Sequence, residues 1–240
     1  MSDYLIYGNV DTRSYNVYIF PFEIDDVPQI NQQKVTVPGK HGSLLYEGRT
    51  FENVQHRYMG VAYSTAYRSA SGTIELLRNA LMKYDSYVRL TDTFHQDEFY
   101  MARYVGGLEP KWARGRDMVK FIIEFDRMPQ RFLTSGEDSV TISGSSTLTN
   151  PTNFPSNPLI RAYGQGAFMI AGKSLSISSS SPYSYIDIDC EMKDCYNGSM
   201  NCNQYVSFQN HQFPVLRAGS NSISCGGSNS LVVTPRWWRV

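Results

Sequence analysis

Apolar and polar residues alternate along most of this chain. Phe121, Ile123 and Phe125 are separated by Ile122, Glu124 and Asp126, which is the period of a strand with one buried and one wetter face. Short aromatic and β-branched runs at residues 4–7 and 16–20 predict further strands, and so do residues 54–63, 87–90 and 98–105. One segment has a different period. Ile74, Leu77, Leu81 and Tyr84 recur at helical spacing, with Glu75, Arg78, Asn79 and Lys83 on the other face. Residues 73–84 therefore predict an amphipathic helix covering a sheet, with Ser71 or Gly72 at its start.

The second half reads as β throughout. Residues 159–163, 167–170, 174–177, 185–189, 204–208, 222–225 and 231–234 are short strand candidates. Turn signals separate them at Gly164-Gln165-Gly166, Asn197-Gly198, Gly219-Ser220-Asn221 and Gly226-Gly227. Short strands at regular spacing predict a sandwich. Between the halves, residues 135–157 are polar, and Pro151, Pro155 and Pro158 stop helix and central strand alike. The junction is expected there, giving domains over residues 1–135 and 136–240.

Composition supports a mainly β chain. Charged residues are 18% of the 240, low for a helical protein, and aromatics are 13% with 17 tyrosines, which favour strands. The 22 basic residues balance 22 acidic ones, so no overall field attracts nucleic acid or an anionic membrane. A protein that grips phosphates for affinity carries a basic excess; one that lets DNA pass does not need it. The N-terminus lacks the basic and apolar regions of a secretory signal, and no segment is long and apolar enough to span a bilayer. The expected site of synthesis and folding is the cytoplasm.

Candidate chemistry is sparse. Cys190, Cys195, Cys202 and Cys225 lack Cys-x-x-Cys spacing, so free thiols rank ahead of one or two disulfides, and both ahead of zinc. Asp187, Asp189 and Glu191 fall at alternate positions and would face one way on a strand. Calcium likes such oxygens, but the solvent face of an antiparallel strand, with Ile186, Ile188 and Cys190 inward, generates the same pattern and is preferred. His41, His56, His95 and His211 are scattered, and no Ser or Cys sits in a nucleophile elbow. Asn197-Gly198-Ser199 matches a glycosylation acceptor but reads better as a hairpin turn. No catalytic residue, metal ligand or cofactor is expected. Trp112, among Lys111, Arg114 and Arg116, forms a small basic-aromatic patch that suits a hairpin tip or subunit contact better than nucleic acid. Trp237 and Trp238 are adjacent and point to opposite faces if extended, so one is expected in the sandwich and the other against a second domain or subunit. A sugar-stacking platform is the competing reading.

The stretch Val37-Pro38-Gly39-Lys40-His41-Gly42 through Glu52-Asn53 interrupts the strand pattern with turn chemistry. Gly39, Gly42 and Gly48 suggest a phosphate loop, but no Gly-Lys-Ser/Thr ending and no clean helix follow. With its Pro-Gly-basic-x-Gly turn, short aromatic strand and acidic-Asn end, the segment resembles the signature of the distal tail proteins of long-tailed bacteriophages. The resemblance continues in order through the helix at 73–84, Tyr87-Val88-Arg89-Leu90-Thr91-Asp92, Phe99-Tyr100-Met101-Ala102-Arg103-Tyr104 and residues 125–132. In the second half it runs through Asn157-Pro158-Leu159-Ile160, residues 163–166, 185–189 and 213–221, and Pro235-Arg236-Trp237-Trp238.

That resemblance implies an N-terminal β-barrel-like domain with one α-helix and a C-terminal galectin-like β-sandwich. It implies a non-enzymatic virion component, assembled in the host cytoplasm as a homohexameric ring that encloses a DNA channel. The ring would join the tail tube protein to the tail tip or its fibre protein. The outward C-terminal domain would carry adsorption components such as a receptor-binding protein. DNA would pass without specific binding, and no membrane is involved. Pro38, Gly39, Lys40, Gly42, Arg49 and Trp112 become ring-interface candidates, and Trp237 and Trp238 domain-docking candidates. The galectin likeness concerns fold, so sugar binding does not follow. The alternative is a carbohydrate-binding β-sandwich module with an accessory domain. A hydrolase would need clustered catalytic groups that the sequence does not display.

Overall fold

Strand alternation organises both halves of the chain in the computed structural model, which describes residues 3–20, 27–32, 34–45, 50–115 and 117–240, with the backbone alone at 109–113. The chain divides into two compact units, residues 1–131 with Val240, and residues 132–239. Among the described residues it is mainly β with one α-helix, and the first sheet is a half-barrel.

The first unit contains β1 (Leu5–Tyr7), β2 (Val10–Asp11), β3 (Val17–Phe20), β4 (Ile30–Asn31), β5 (Lys34–Thr36), β6 (Ser43–Leu45), β7 (Thr50–Phe51) and β8 (Val54–Tyr63). Then follow α1 (Ala70–Leu81), β9 (Val88–Asp92), β10 (Glu98–Arg114) and β11 (Met118–Leu133). The half-barrel has the order β2-β1-β9-β10-β11-β8-β3. Its β11–β8 register runs antiparallel from Met118↔Tyr63 to Arg127↔Val54. Val119, Phe121, Ile123 and Phe125 face inward there, as their alternation predicts, against Tyr58 and Ala62 from β8. Ala70, Ile74, Leu77 and Leu81 of α1 complete the same core.

The helix starts earlier than its apolar period suggests. Ser69 is the N-cap, its Oγ accepting from the Gly72 N–H at 3.3 Å. The first turn, Ala70-Ser71-Gly72, has too few apolar positions to display the period. Tyr84, expected as the last helical contact, lies beyond the end of α1 and meets Tyr7 edge-on with ring centres 5.3 Å apart. Within β10, Gly106, Gly107 and Leu108 have positive φ of 149°, 84° and 57°. Arg78 of α1 donates to the Leu108 carbonyl at 3.0 Å and so ties the helix to this segment.

The second unit begins with β12 (Val140–Ser143) and β13 (Ser145–Asn150), then β14 (Leu159–Tyr163), β15 (Gly166–Ile170), β16 (Lys173–Ile177) and β17 (Tyr185–Asp189). It continues with β18 (Asp194–Asn197), β19 (Met200–Asn201), β20 (Val206–Phe208), β21 (Gly219–Cys225), β22 (Ser230–Thr234) and β23 (Trp238–Arg239). Two antiparallel sheets, β12-β22-β14-β17-β18-β19 and β13-β21-β15-β16-β20, face each other. Ile160, Ile186, Ile188, Leu231 and Val233 of one meet Phe168, Ile170, Leu175, Ile177 and Ile223 of the other in one core. The Ser/Thr-rich segment expected as a junction supplies β12 and β13. They are edge strands, whose exposed positions need few apolar residues.

The C-terminal tail is stitched into this unit. Ser156 Oγ donates to the Pro235 carbonyl at 2.8 Å, Arg236 N–H to Gly136 at 2.7 Å, and Leu133 N–H to Trp237 at 2.9 Å. A Cβ on Gly136 would lie 2.3 Å from the Trp237 nitrogen, so this backbone approach tolerates only glycine. Gly136→Ala is expected to displace the tail and lower stability by about 1–3 kcal/mol, as overpacking does. Denaturation followed by tryptophan emission reads this as a lower midpoint, and an unchanged midpoint would refute it.

Candidate functional site

Between β3 and β8 the chain leaves the half-barrel as an arm. β4 pairs with β7 through Ile30↔Phe51 and Asn31↔Thr50, and β5 pairs with β6 from Lys34↔Leu45 to Thr36↔Ser43. The turn at residues 37–42 joins β5 to β6, with the Lys40 N–H donating to Val37 at 3.2 Å. Gly39 and Gly42 have φ of 81° and 82° and open space where a Cβ would go, so they are needed for conformation and not for room. Ile30, Val35, Leu44 and Leu45 are between 46% and 58% exposed. Among its described residues the arm has ladders but no dry face, and a two-stranded ribbon of this kind is marginally stable by itself.

Its root is fixed. Glu52 N–H donates to Gln29 at 2.9 Å. Asn53 Nδ2 donates to Tyr87 Oη at 2.7 Å and to Asp126 Oδ1 at 3.1 Å, while Tyr87 Oη donates to Asp126 Oδ2. The bond to Asp126 pushes the Tyr87 hydroxyl pKa up, which keeps it a donor. The acidic-Asn end of the segment is thus its anchor on β11.

Of the expected interface residues, Pro38, Gly39, Lys40 and Gly42 lie together, exposed, in the arm's turn. Arg49 lies outside the described residues, as does Arg116. Trp112 falls within β10 and not in a loop, because that strand extends to Arg114; its side chain is outside the described ones. Both C-terminal tryptophans sit in the second unit: Trp237 is buried in its core, and Trp238 stacks on Phe154 at 4.6 Å and donates to the Pro155 carbonyl at 2.9 Å. Sequence reasoning did not single out Ile30, Val35, Leu44 and Leu45 as exposed, or Tyr87 and Asp126 as the clamp. Apolar residues in a strand pattern carry no signal that their face lacks a core.

Several titratable groups away from the arm are engaged within the fold. Asp187 and Asp189 are buried and not on a solvent face. Arg161 takes Asp187 bidentately at 2.7 and 2.9 Å, and Arg236 takes Asp189 at 2.8 and 3.0 Å. The alternation was correct, but arginines from a neighbouring strand and from the tail cover the outer face. In the first unit, Asp92 accepts from Tyr58 Oη at 2.6 Å and from the Phe94 and His95 N–H groups at 2.9 and 2.8 Å, while Arg131 pairs with Glu98 at 2.7 Å. All four cysteines are buried free thiols. Among the described residues, no three or more His, Cys, Asp or Glu are grouped to hold a metal ion, and no helix is long and apolar enough to cross a membrane.

No protein-family model matches the sequence, and no curated protein does. Solved structures do match. The SPP1 Dit protein, described as a paradigm of the hub adsorption apparatus in phages infecting Gram-positive bacteria, has a TM-score of 0.77 and 14% identity, with 100% of both chains covered. A chain of the activated phage p2 baseplate with strontium has a TM-score of 0.55 at 8% identity, covering 100% of this chain and 98% of that one. A chain of that baseplate with calcium has a TM-score of 0.52 at 10% identity, with 97% of each covered. The chain therefore has the fold of a phage tail hub. More particularly, over its whole length, it is the fold of the distal tail proteins.

Two outcomes follow from these contacts. Asn53→Ala should speed proteolysis within residues 30–51 while moving global stability by no more than about 1 kcal/mol, the net worth of such hydrogen bonds. Equal cleavage rates in the two proteins would refute the anchor. For Asp189, burial pushes the carboxyl up, but the bonds from Arg236 and the Met192 and Glu191 N–H groups outweigh it, and the pKa is lowered. A depressed folded value stabilises fully above the unfolded pKa of about 3.9 and ceases to as pH falls through the folded value. Asp189→Asn should therefore flatten the acid limb of the stability profile, measured by denaturant midpoints, and lower the midpoint at neutral pH.

Proposed function

We propose that this chain is a distal tail hub, a structural protein that closes into a homohexameric ring around a DNA channel and joins the tail tube protein to the tail tip. The first unit forms the ring. The second, which we read as a galectin-like sandwich, carries the surface for the tip fibre protein and for adsorption components such as a receptor-binding protein. The protein works in the virion, as part of the tail, and by assembly and not by catalysis. The observation that carries this reading is the full-length likeness to the SPP1 hub together with an arm whose described apolar residues are exposed.

The physics of a ring suits both. A closed ring is built from head-to-tail contacts between two different surfaces of one subunit. An arm with Ile30, Val35, Leu44 and Leu45 exposed offers one such surface, since exposed apolar side chains gain free energy when a neighbour dries them. Pro38, Gly39, Lys40 and Gly42 set the turn that presents it. The balance of 22 basic and 22 acidic residues suits a conduit, because a strongly basic channel would hold the genome by counterion release.

Light scattering should give a mass six times that of one chain, and negative-stain images should show rings; a monomer in both would overturn the proposal. Leu44→Ser with Leu45→Ser is expected to abolish rings while leaving the circular dichroism and melting of both units unchanged, because both leucines are already exposed. Gly39→Val with Gly42→Val should do the same through the turn. A normal ring from either double variant would remove the arm from the interface.

A further inference from the structure

The second unit holds a pair of thiols that its hub reading does not use. β18 and β19 form a hairpin with the two-residue loop Gly198-Ser199, in the register Asn197↔Met200 and Tyr196↔Asn201. The next pair along the ladder is Cys195 and Cys202. The Cys202 N–H donates to the Cys195 carbonyl at 2.8 Å, while the Cys195 N–H turns to Asn203 Oδ1 at 2.9 Å. Residues directly opposite in an antiparallel ladder have Cα atoms about 4.5–5.5 Å apart. Disulfides span Cα separations of about 4.4–6.8 Å, which covers that range.

The other two cysteines are placed differently. Cys190 follows β17, whose register Ile188↔Cys195 and Asp189↔Asp194 makes it a diagonal neighbour of Cys195. Diagonal positions lie about 7–8 Å apart, beyond easy bridging. Cys225 is on β21 in the opposite sheet, where its Sγ meets the Ile142 and Gly144 carbonyls at 3.6 and 3.5 Å. Cys195 and Cys202 are both fully buried and share one core, so they lie on the same side of the hairpin.

We infer that Cys195 and Cys202 are a redox-closable pair, converted by a small disulfide oxidant into one cross-strand disulfide that locks the edge hairpin of the sandwich. One thiol loses its proton and attacks a sulfur of the oxidant, here oxidised glutathione. A mixed disulfide forms and one glutathione leaves. The second thiol loses its proton and attacks the protein sulfur of that mixed disulfide, and the second glutathione leaves. The protein pair gives up two electrons and two protons, and the oxidant becomes two thiols. Burial, with smaller contributions from Asp194 and Cys202, pushes the Cys195 thiol up to about 12, and burial raises that of Cys202 too. Exchange therefore proceeds slowly, through opening of the hairpin at the end of its sheet. The pair does not depend on the hub reading, and a monomeric protein that closes it would sink only the latter.

The test uses the folded full-length chain, incubated with oxidised glutathione, quenched by alkylation and mapped by mass spectrometry of its peptides. The expected product has lost two hydrogens, links the Cys195 and Cys202 peptides, and leaves Cys190 and Cys225 alkylated after unfolding. Hydrogen exchange of the amides at 194–202 should slow in that product. A link through Cys190 or Cys225, glutathione adducts without a link, or no reaction in the folded state would each overturn the inference. Cys202→Ser should yield no internal link; if that variant does not fold, the map of the unaltered chain decides.

Discussion

An antiparallel ladder satisfies its backbone wherever it forms, but it is held in place only where one of its faces is dry. That constraint governs this molecule. The half-barrel is dry because α1 lies against its inner face, with Leu77 and Leu81 among the fully buried side chains. The sandwich is dry because two sheets face one another across Ile160, Ile188, Phe168 and Ile170. Among its described residues, the arm has the ladders and lacks the dry face. A segment built that way keeps its backbone ladders but leaves the apolar side chains described on it open to water.

The second unit shows how charges take part in the same constraint. Asp187 and Asp189 lie on the outer face of a central strand, yet both are buried, and each is matched by two hydrogen bonds from a guanidinium. Removing one partner of such a pair leaves a buried charge without compensation, which is far worse than losing an exposed pair. Arg236 belongs to the C-terminal tail, so this pairing also fixes the end of the chain. Trp237 enters the core one residue later, and Trp238 stacks on Phe154. Two adjacent tryptophans, which a small domain rarely accommodates, are absorbed by giving one the core and the other a loop.

Much of this was legible in the residues. Strands at 159–163 and 185–189 have the bounds that alternation suggests, because two half-buried sheets impose a period of two on their sequences. The Asn197-Gly198 turn signal marks a hairpin loop, with Gly198 at φ 59°. The edge strands β12 and β13 escaped notice because an edge exposes most of its side chains, and Ser146, Thr147 and Thr149 read as loop. The first turn of α1 escaped because its cap, Ser69, lies before any apolar repeat.

The order of residues by itself determined which segments extend, which one coils and where the chain reverses, because these follow from local sterics and from the period at which apolar side chains recur. Only the tertiary structure decided which of the resulting faces are covered. It put Leu44 and Leu45 in water and Asp187 and Asp189 out of it, and bound Asn53 to Tyr87 and Asp126. Burial and pairing depend on what a distant part of the chain brings alongside, and no local pattern encodes that.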